Sequence, residues 1–152
     1  CHEGRAMIHF FKNEYDKANL ELDKIQNIHM SEYYLARTKI YIMEQNSKLA
    51  EFYSNEVESN QKHMTRLKYL LIQVLVMWQK PLLRDEAKYL RYLKELMTLS
   101  IDAMDQENIG LSHNLLILYY KDKSKYKKAL EVAENLLLLK KIHISYYSIN
   151  NS

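Results

Sequence analysis

Glycine and proline are almost missing from this chain. Gly4, Gly110 and Pro81 are all it has of either in 152 residues. That is too few for the turns of an all-β fold, which draw on glycine's positive φ and proline's preset φ. Cysteine is scarcer still. Cys1 stands alone, which excludes an internal disulfide and permits a reducing compartment. Long apolar runs are lacking too. The longest, Tyr69 to Trp78, is interrupted by Gln73 and spans ten residues, where a bilayer crossing needs about 20. It reads as a buried helix, and no membrane partner is expected.

An excess of one charge is also missing. Lys and Arg number 22 against 19 Asp and Glu, a net charge of +3, and the two signs are interleaved. Such a surface does not suit a protein built to neutralise a polyanion. No Gly/Ser/Pro-rich linker or targeting segment divides the sequence, so residues 1–152 read as one helical-repeat domain. Because the first residue is Cys and not Met, the chain reads as a fragment of a longer one, or as a mature form. A lipid-modified Cys1 is the other reading, but such anchors precede a flexible polar tether, and here helix-compatible sequence begins almost at once. The expected location is cytoplasmic.

What the chain does have is helical periodicity built from Leu, Lys, Glu, Met and Gln. A pattern recurs around Ala18, Ala50, Ala87 and Ala129, each with an aromatic eight to ten residues upstream: Phe10, Tyr41, Trp78 and Tyr119. In a helical hairpin the ring fills the gap between the rods and the alanine lets the second approach the first. Recurrence every 32 to 42 residues predicts an all-α array of about four antiparallel hairpins.

The first hairpin is predicted over Glu3 to Ile28, with Met7, Phe10 and Phe11 before a turn at Asn13, then Leu22 and Ile25. Ser31 is the expected N-cap of the next helix, which carries Tyr34, Thr38, Tyr41 and Ile42. A turn at Gln45, Asn46 and Ser47 leads to Leu49, Ala50, Tyr53, Ser54 and Val57. Ser59 and Asn60 open the third unit, whose first helix runs Leu67 to Trp78. Pro81 marks the bend and the first turn of the next helix, which carries Leu83, Ala87, Leu90, Leu93 and Met97. The pattern leaves Ser100 to Asn108 open between a loop and a continued helix. The fourth unit has Leu115, Leu116, Tyr119 and Tyr120, a turn at Asp122 to Ser124, then Tyr126, Ala129, Ala133, Leu136 and Leu139. The tail from His143 begins like another helix, with Ile144, Tyr146, Tyr147 and Ile149 as a face awaiting cover.

Two segments carry a family resemblance. Asn114 to Ala129 holds a Tyr-Tyr-Lys, a tyrosine three positions before the alanine, and early leucines. Phe10 to Ala18 is a shorter echo. In these features the chain resembles tetratricopeptide repeats, although the family's turn glycine and closing prolines are absent and the repeat length drifts. An array of this irregular kind is similar to the peptide-sensing C-terminal domains of Gram-positive quorum-sensing regulators and phosphatase inhibitors. The resemblance implies a right-handed superhelix whose first helices line a concave groove. Aligned on the alanines, Lys39, Ile42 and Met43 of the second unit would face that groove, as would His113, Asn114, Ile117, Tyr120 and Lys121 of the fourth. It further implies that Asn114 hydrogen-bonds a ligand's backbone. An amide can do so with both a donor and an acceptor.

Patterns for chemistry are thin. Of the six histidines, His2, His9, His29, His63, His113 and His143, no two stand at the i, i+4 spacing that gathers imidazoles around a metal. His2 and Glu3 begin a zinc-protease motif that no second histidine completes. Asp85-Glu86 and Asp102/Asp105 read as caps or exposed helix positions. Neither glycine has the partners a phosphate-binding loop needs. Lys121, Lys123, Lys125, Lys127 and Lys128 flank tyrosines as a nucleic-acid surface would, but they straddle a turn and point several ways. No nucleic-acid contact is expected from them. Thirteen tyrosines supply large, stiff contact area with a polar tip, which suits packing and a peptide groove alike. The expected function is therefore a non-catalytic scaffold for a peptide or protein segment, without cofactor or metal. The alternatives are the sensing half of a transcriptional regulator and a self-associating module that forms a homodimer.

Overall fold

A computed structural model describes Asp16, Lys17 and residues 30–150 of the chain. The first hairpin expected over Glu3 to Ile28, including Ala18, and the readings of Cys1, His2, His9 and His29 lie outside those residues. Among the described residues the fold is all-α, with no strand. The helices are α1 (Met30–Met43), α2 (Ser47–Ser59), α3 (Arg66–Gln79), α4 (Glu86–Asp102), α5 (Gln106–Asp122) and α6 (Tyr126–Asn150), with one 3₁₀ turn at Gln61–His63. No helix among the described residues is long and apolar enough to cross a membrane. By compactness the chain divides into Cys1–Tyr89 and Leu90–Ser152.

In the first of these units α1 packs on both α2 and α3, and α2 packs on α3. The core is built on α3. Tyr69, Leu70, Leu71, Ile72, Val74, Leu75 and Val76 are all buried, and a helix apolar on nearly every side belongs inside. Each such aliphatic side chain withdrawn from water contributes about 1.5–3 kcal/mol. Gln73 is the exception in that run, and its role is specific. Its Nε2 donates to the Ser54 carbonyl at 3.2 Å, and the Ser54 hydroxyl donates to its Oε1 at 3.0 Å. The break in the apolar run is thus a two-way hydrogen bond between α2 and α3.

The other face of α1 gathers aromatics. Tyr41 stacks on Tyr53 with centroids 5.6 Å apart, and Tyr33 meets the same ring edge-on at 6.2 Å. The buried Arg37 lies 5.3 Å over the Tyr33 ring and donates to the Tyr41 hydroxyl at 3.3 Å. Burial, then the Tyr53 hydroxyl, raises the Tyr33 phenol well above the ordinary tyrosine range. Tyr34 is raised by burial and by the Glu56 carboxylate.

In the second unit α5 packs on α6. The α4 residues Leu93, Leu96 and Ser100 are fully buried, as are Ser112 and His113 on α5, and Ala129, Val132 and Leu136 form the buried stripe of α6.

Three bends between consecutive helices share one geometry. Gln45, Met104 and Ser124 have φ of 58°, 53° and 57°, the left-handed region that costs an L-residue about 1–2 kcal/mol. After each, the next N–H reaches back five residues: Asn46 to the Tyr41 carbonyl at 2.8 Å, Asp105 to Ser100 at 3.0 Å, and Lys125 to Tyr120 at 2.8 Å. This is the Schellman ending, here without glycine. Asn46 and Asp105 also cap the following helix, accepting from Leu49 N–H at 3.2 Å and Asn108 N–H at 3.1 Å. One residue closes one rod and starts the next. Lysine at 125 has no acceptor for the same task.

Several expectations are corrected. Ser31 lies inside α1, not before it. Thr65 caps α3, accepting from Lys68 N–H, and Asn60 ends α2. Pro81 ends α3 but sits in a turn ahead of α4, whose cap is Asp85, an acceptor for Lys88 N–H at 3.1 Å. Ala50 and Ala129 are buried one turn past their bends, whereas Ala87 is exposed. The reason is register. The buried line of α4 is Tyr89, Leu93, Leu96 and Ser100, and two residues before Tyr89 is about half a turn away. Ser100 to Asn108 resolves into the end of α4, a bend and the start of α5. The tail from His143 is no separate helix but the last third of the 25-residue α6.

Candidate functional site

The α1 and α3 helices run parallel, because each is antiparallel to α2 between them. Their C-terminal ends therefore come out on one side of the unit. There Ile42, Met43, Gln45, Trp78, Gln79 and Pro81 line an open trough of about 670 Å³. Each wall has a local cause. The left-handed Gln45 turns the chain away after Met43, leaving that side chain 54% exposed. Pro81 forbids a further turn of α3, so Trp78 stands 40% exposed on its last turn. Ile42 is buried and forms the floor.

Beside the trough, Lys80 caps the end of α3 and pairs with Glu51 of α2 at 2.7 Å. The Lys80 ammonium lowers the Glu51 carboxyl, by hydrogen bond first and by charge second. Glu44, between Met43 and Gln45, is shifted the other way, by loss of hydration and then by the Asp16 carboxylate. The trough is thus an apolar slot with amide and charged groups at its rim. A large ring, a flexible thioether and a proline face suit an apolar side chain, and the exposed Gln45 amide offers a donor and an acceptor, while the Gln79 Oε1 is buried.

Of the residues singled out from sequence, Ile42 and Met43 line this trough, and Lys39 is half-buried one turn earlier on α1. The other five lie on α5 in the second unit. His113 is buried, its Nδ1 2.7 Å from the Ile109 carbonyl, and Tyr120 is buried too. Both serve the interior. Asn114 and Lys121 are exposed, and Ile117 is half-buried. Sequence reasoning missed Trp78, Gln79, Pro81 and Gln45 as site residues. The spacing of Trp78 from Ala87 predicts a place in the hairpin interior, whereas the structure leaves it 40% exposed. The usable signal was its place three residues before the chain's one proline, at the end of an otherwise buried helix.

Of the lysines around the Ser124 bend, Lys123 and Lys128 lie over the Tyr119 and Tyr120 rings at 5.8 and 5.7 Å. Asp85 and Asp105 are helix caps, and Glu86 pairs with Arg84 at 2.9 Å. Among the described residues no group of three His, Cys, Asp or Glu side chains is placed to hold a metal ion. A smaller cleft of about 170 Å³ in the second unit lies among Ile101, Met104, Gln106, Ile109, Leu139, Ile142 and His143. No protein-family model, curated protein or solved structure matches this chain.

Proposed function

We propose that the chain is a non-catalytic, tetratricopeptide-like scaffold that binds a peptide or protein segment in the trough at the ends of α1 and α3. One observation carries the reading: a half-exposed tryptophan and a half-exposed methionine face one slot on two parallel, well-packed helices. The packing of α1 on both α2 and α3 supports the repeat reading, since first helices that touch each other build a continuous inner face. Because the walls are helices set by their own core, the site is preformed and the ligand bears the ordering entropy. An apolar side chain enters the slot, and the Gln45 amide holds the backbone beside it. A cytoplasmic setting goes with this reading, as does the narrower one of a peptide-sensing domain within a regulator.

Trp78 is the chain's single tryptophan, so its emission reports on the trough alone. A random-peptide phage library panned on the full chain should yield binders that shift this emission. Met43→Ala should weaken them about tenfold or more, while Asn114→Ala, on the other unit, should not. Selected peptides that bind Met43→Ala and Trp78→Phe as tightly as the natural chain would place the site elsewhere.

A further inference from the structure

The second unit carries an apolar face that the trough does not use. On α6, Tyr126, Leu130, Leu137 and Ile144 are each 58 to 64% exposed. Their spacing puts them within about 20° of one line along the helix. The half-buried Ala133 and exposed Lys140 fall beside that line and complete a four-three alternation, the signature of a helix-pairing seam. The face already buried, with Ala129, Val132 and Leu136, lies about a quarter turn round the helix from that line.

The two edges of the seam differ. One runs into the buried face. The other presents Lys127, Glu134 and Lys141, all exposed, with alternating charge at seven-residue spacing. The pattern reads the same in both directions, so an antiparallel copy of this helix offset by seven residues sets Glu134 beside Lys141 and Lys141 beside Glu134. We propose that α6 pairs antiparallel with α6 of a second copy of this chain, about a two-fold axis between Leu138 and Leu139. In that register Glu134 of one copy lies beside Lys141 of the other, twice. Ile144 of each meets the small Ala133 of its partner, and the aliphatic stem of Lys140 covers Leu137. A parallel pair would lay the charged edge against the partner's packed edge and leave the charges unmatched. The contact is isologous, so it closes as a dimer and does not propagate.

Sedimentation equilibrium of the full chain from about 1 to 100 μM reads the proposal directly. The natural chain populates a dimer in that range. Glu134→Lys weakens it about tenfold or more, and Glu134→Lys combined with Lys141→Glu restores it. Leu137→Glu abolishes it while far-UV circular dichroism stays helical. A natural chain that remains monomeric throughout overturns the proposal and leaves the face to some other occupant. So does a dimer that Leu137→Glu does not affect, or a charge exchange that fails to restore association.

Discussion

Gly110 lies inside α5, and a Cβ built on it would meet nothing within 4 Å. A glycine in a helix interior costs about 0.5–1 kcal/mol relative to alanine, because the unfolded chain loses more freedom. Gly110→Ala should therefore raise the unfolding free energy by roughly that amount in urea titrations; a lowered midpoint would mean that backbone at Gly110 is approached by something the fold does not itself supply. Tyr33 makes a second prediction, through pH. Its phenol is raised in the folded state, so the native protein keeps a proton that the unfolded chain releases from about pH 10 upward. The stability tied to Tyr33 is complete below that range and lost as pH climbs through and above it. Tyr33→Phe should flatten the alkaline fall in urea midpoint, and equal falls in both proteins would count against the buried phenol. These single residues also mark what the sequence conceals. Gln73 looked like an interruption, and only its pairing with Ser54 shows it as an inter-helix bond. His113 and Tyr120 looked like groove residues, yet their side chains turn inward, a choice set by which faces of α5 are covered.

At the scale of the element, the helices were legible because apolar spacing of three and four residues persists through α1 to α6, with polar clusters at Gln45-Asn46 and Asp122 to Ser124 marking bends. Starts and stops were less so. Ser31 has a cap's chemistry but sits a residue inside the helix, and the bends hold their left-handed φ on glutamine, methionine and serine, so no glycine announced them. The length of α6 is hidden because Lys140, Lys141 and His143 resemble a boundary although the stretch contains no breaker. The same comparison of bends gives a test. Asn46 and Asp105 cap the helix that follows, and Lys125 holds the equivalent place without an acceptor. Lys125→Asp should supply the missing bond to the α6 N-terminus, beside its Lys127 and Lys128, and raise stability by about 1 kcal/mol. Thermal melts at moderate salt would check it, and a destabilised variant would show that the third bend differs from the other two.

For the whole molecule, the trough and the exposed face of α6 belong to separate units, and the two proposals give them different partners. Association through α6 makes the folded state depend on mass action. The apparent melting temperature should then rise with protein concentration, while Leu137→Glu should melt at one temperature at every concentration. The alternating charge beside the seam was present in the sequence, but only the exposure of Lys127, Glu134 and Lys141, with burial confined to the other edge, shows which side a partner would meet. Finally, the exchange between Ser54 and Gln73 bears on how many ways the chain can fold. Greasy cylinders slide: slipping α3 along α2 by one turn, about 5.4 Å, would still bury leucine against valine. It would also separate a half-buried carboxamide from a half-buried serine, forfeiting two hydrogen bonds worth about 0.5–1.5 kcal/mol each. Together with the Tyr69 hydroxyl donating to Glu58, this polar tooth in a largely oily gear indexes the pair to one position.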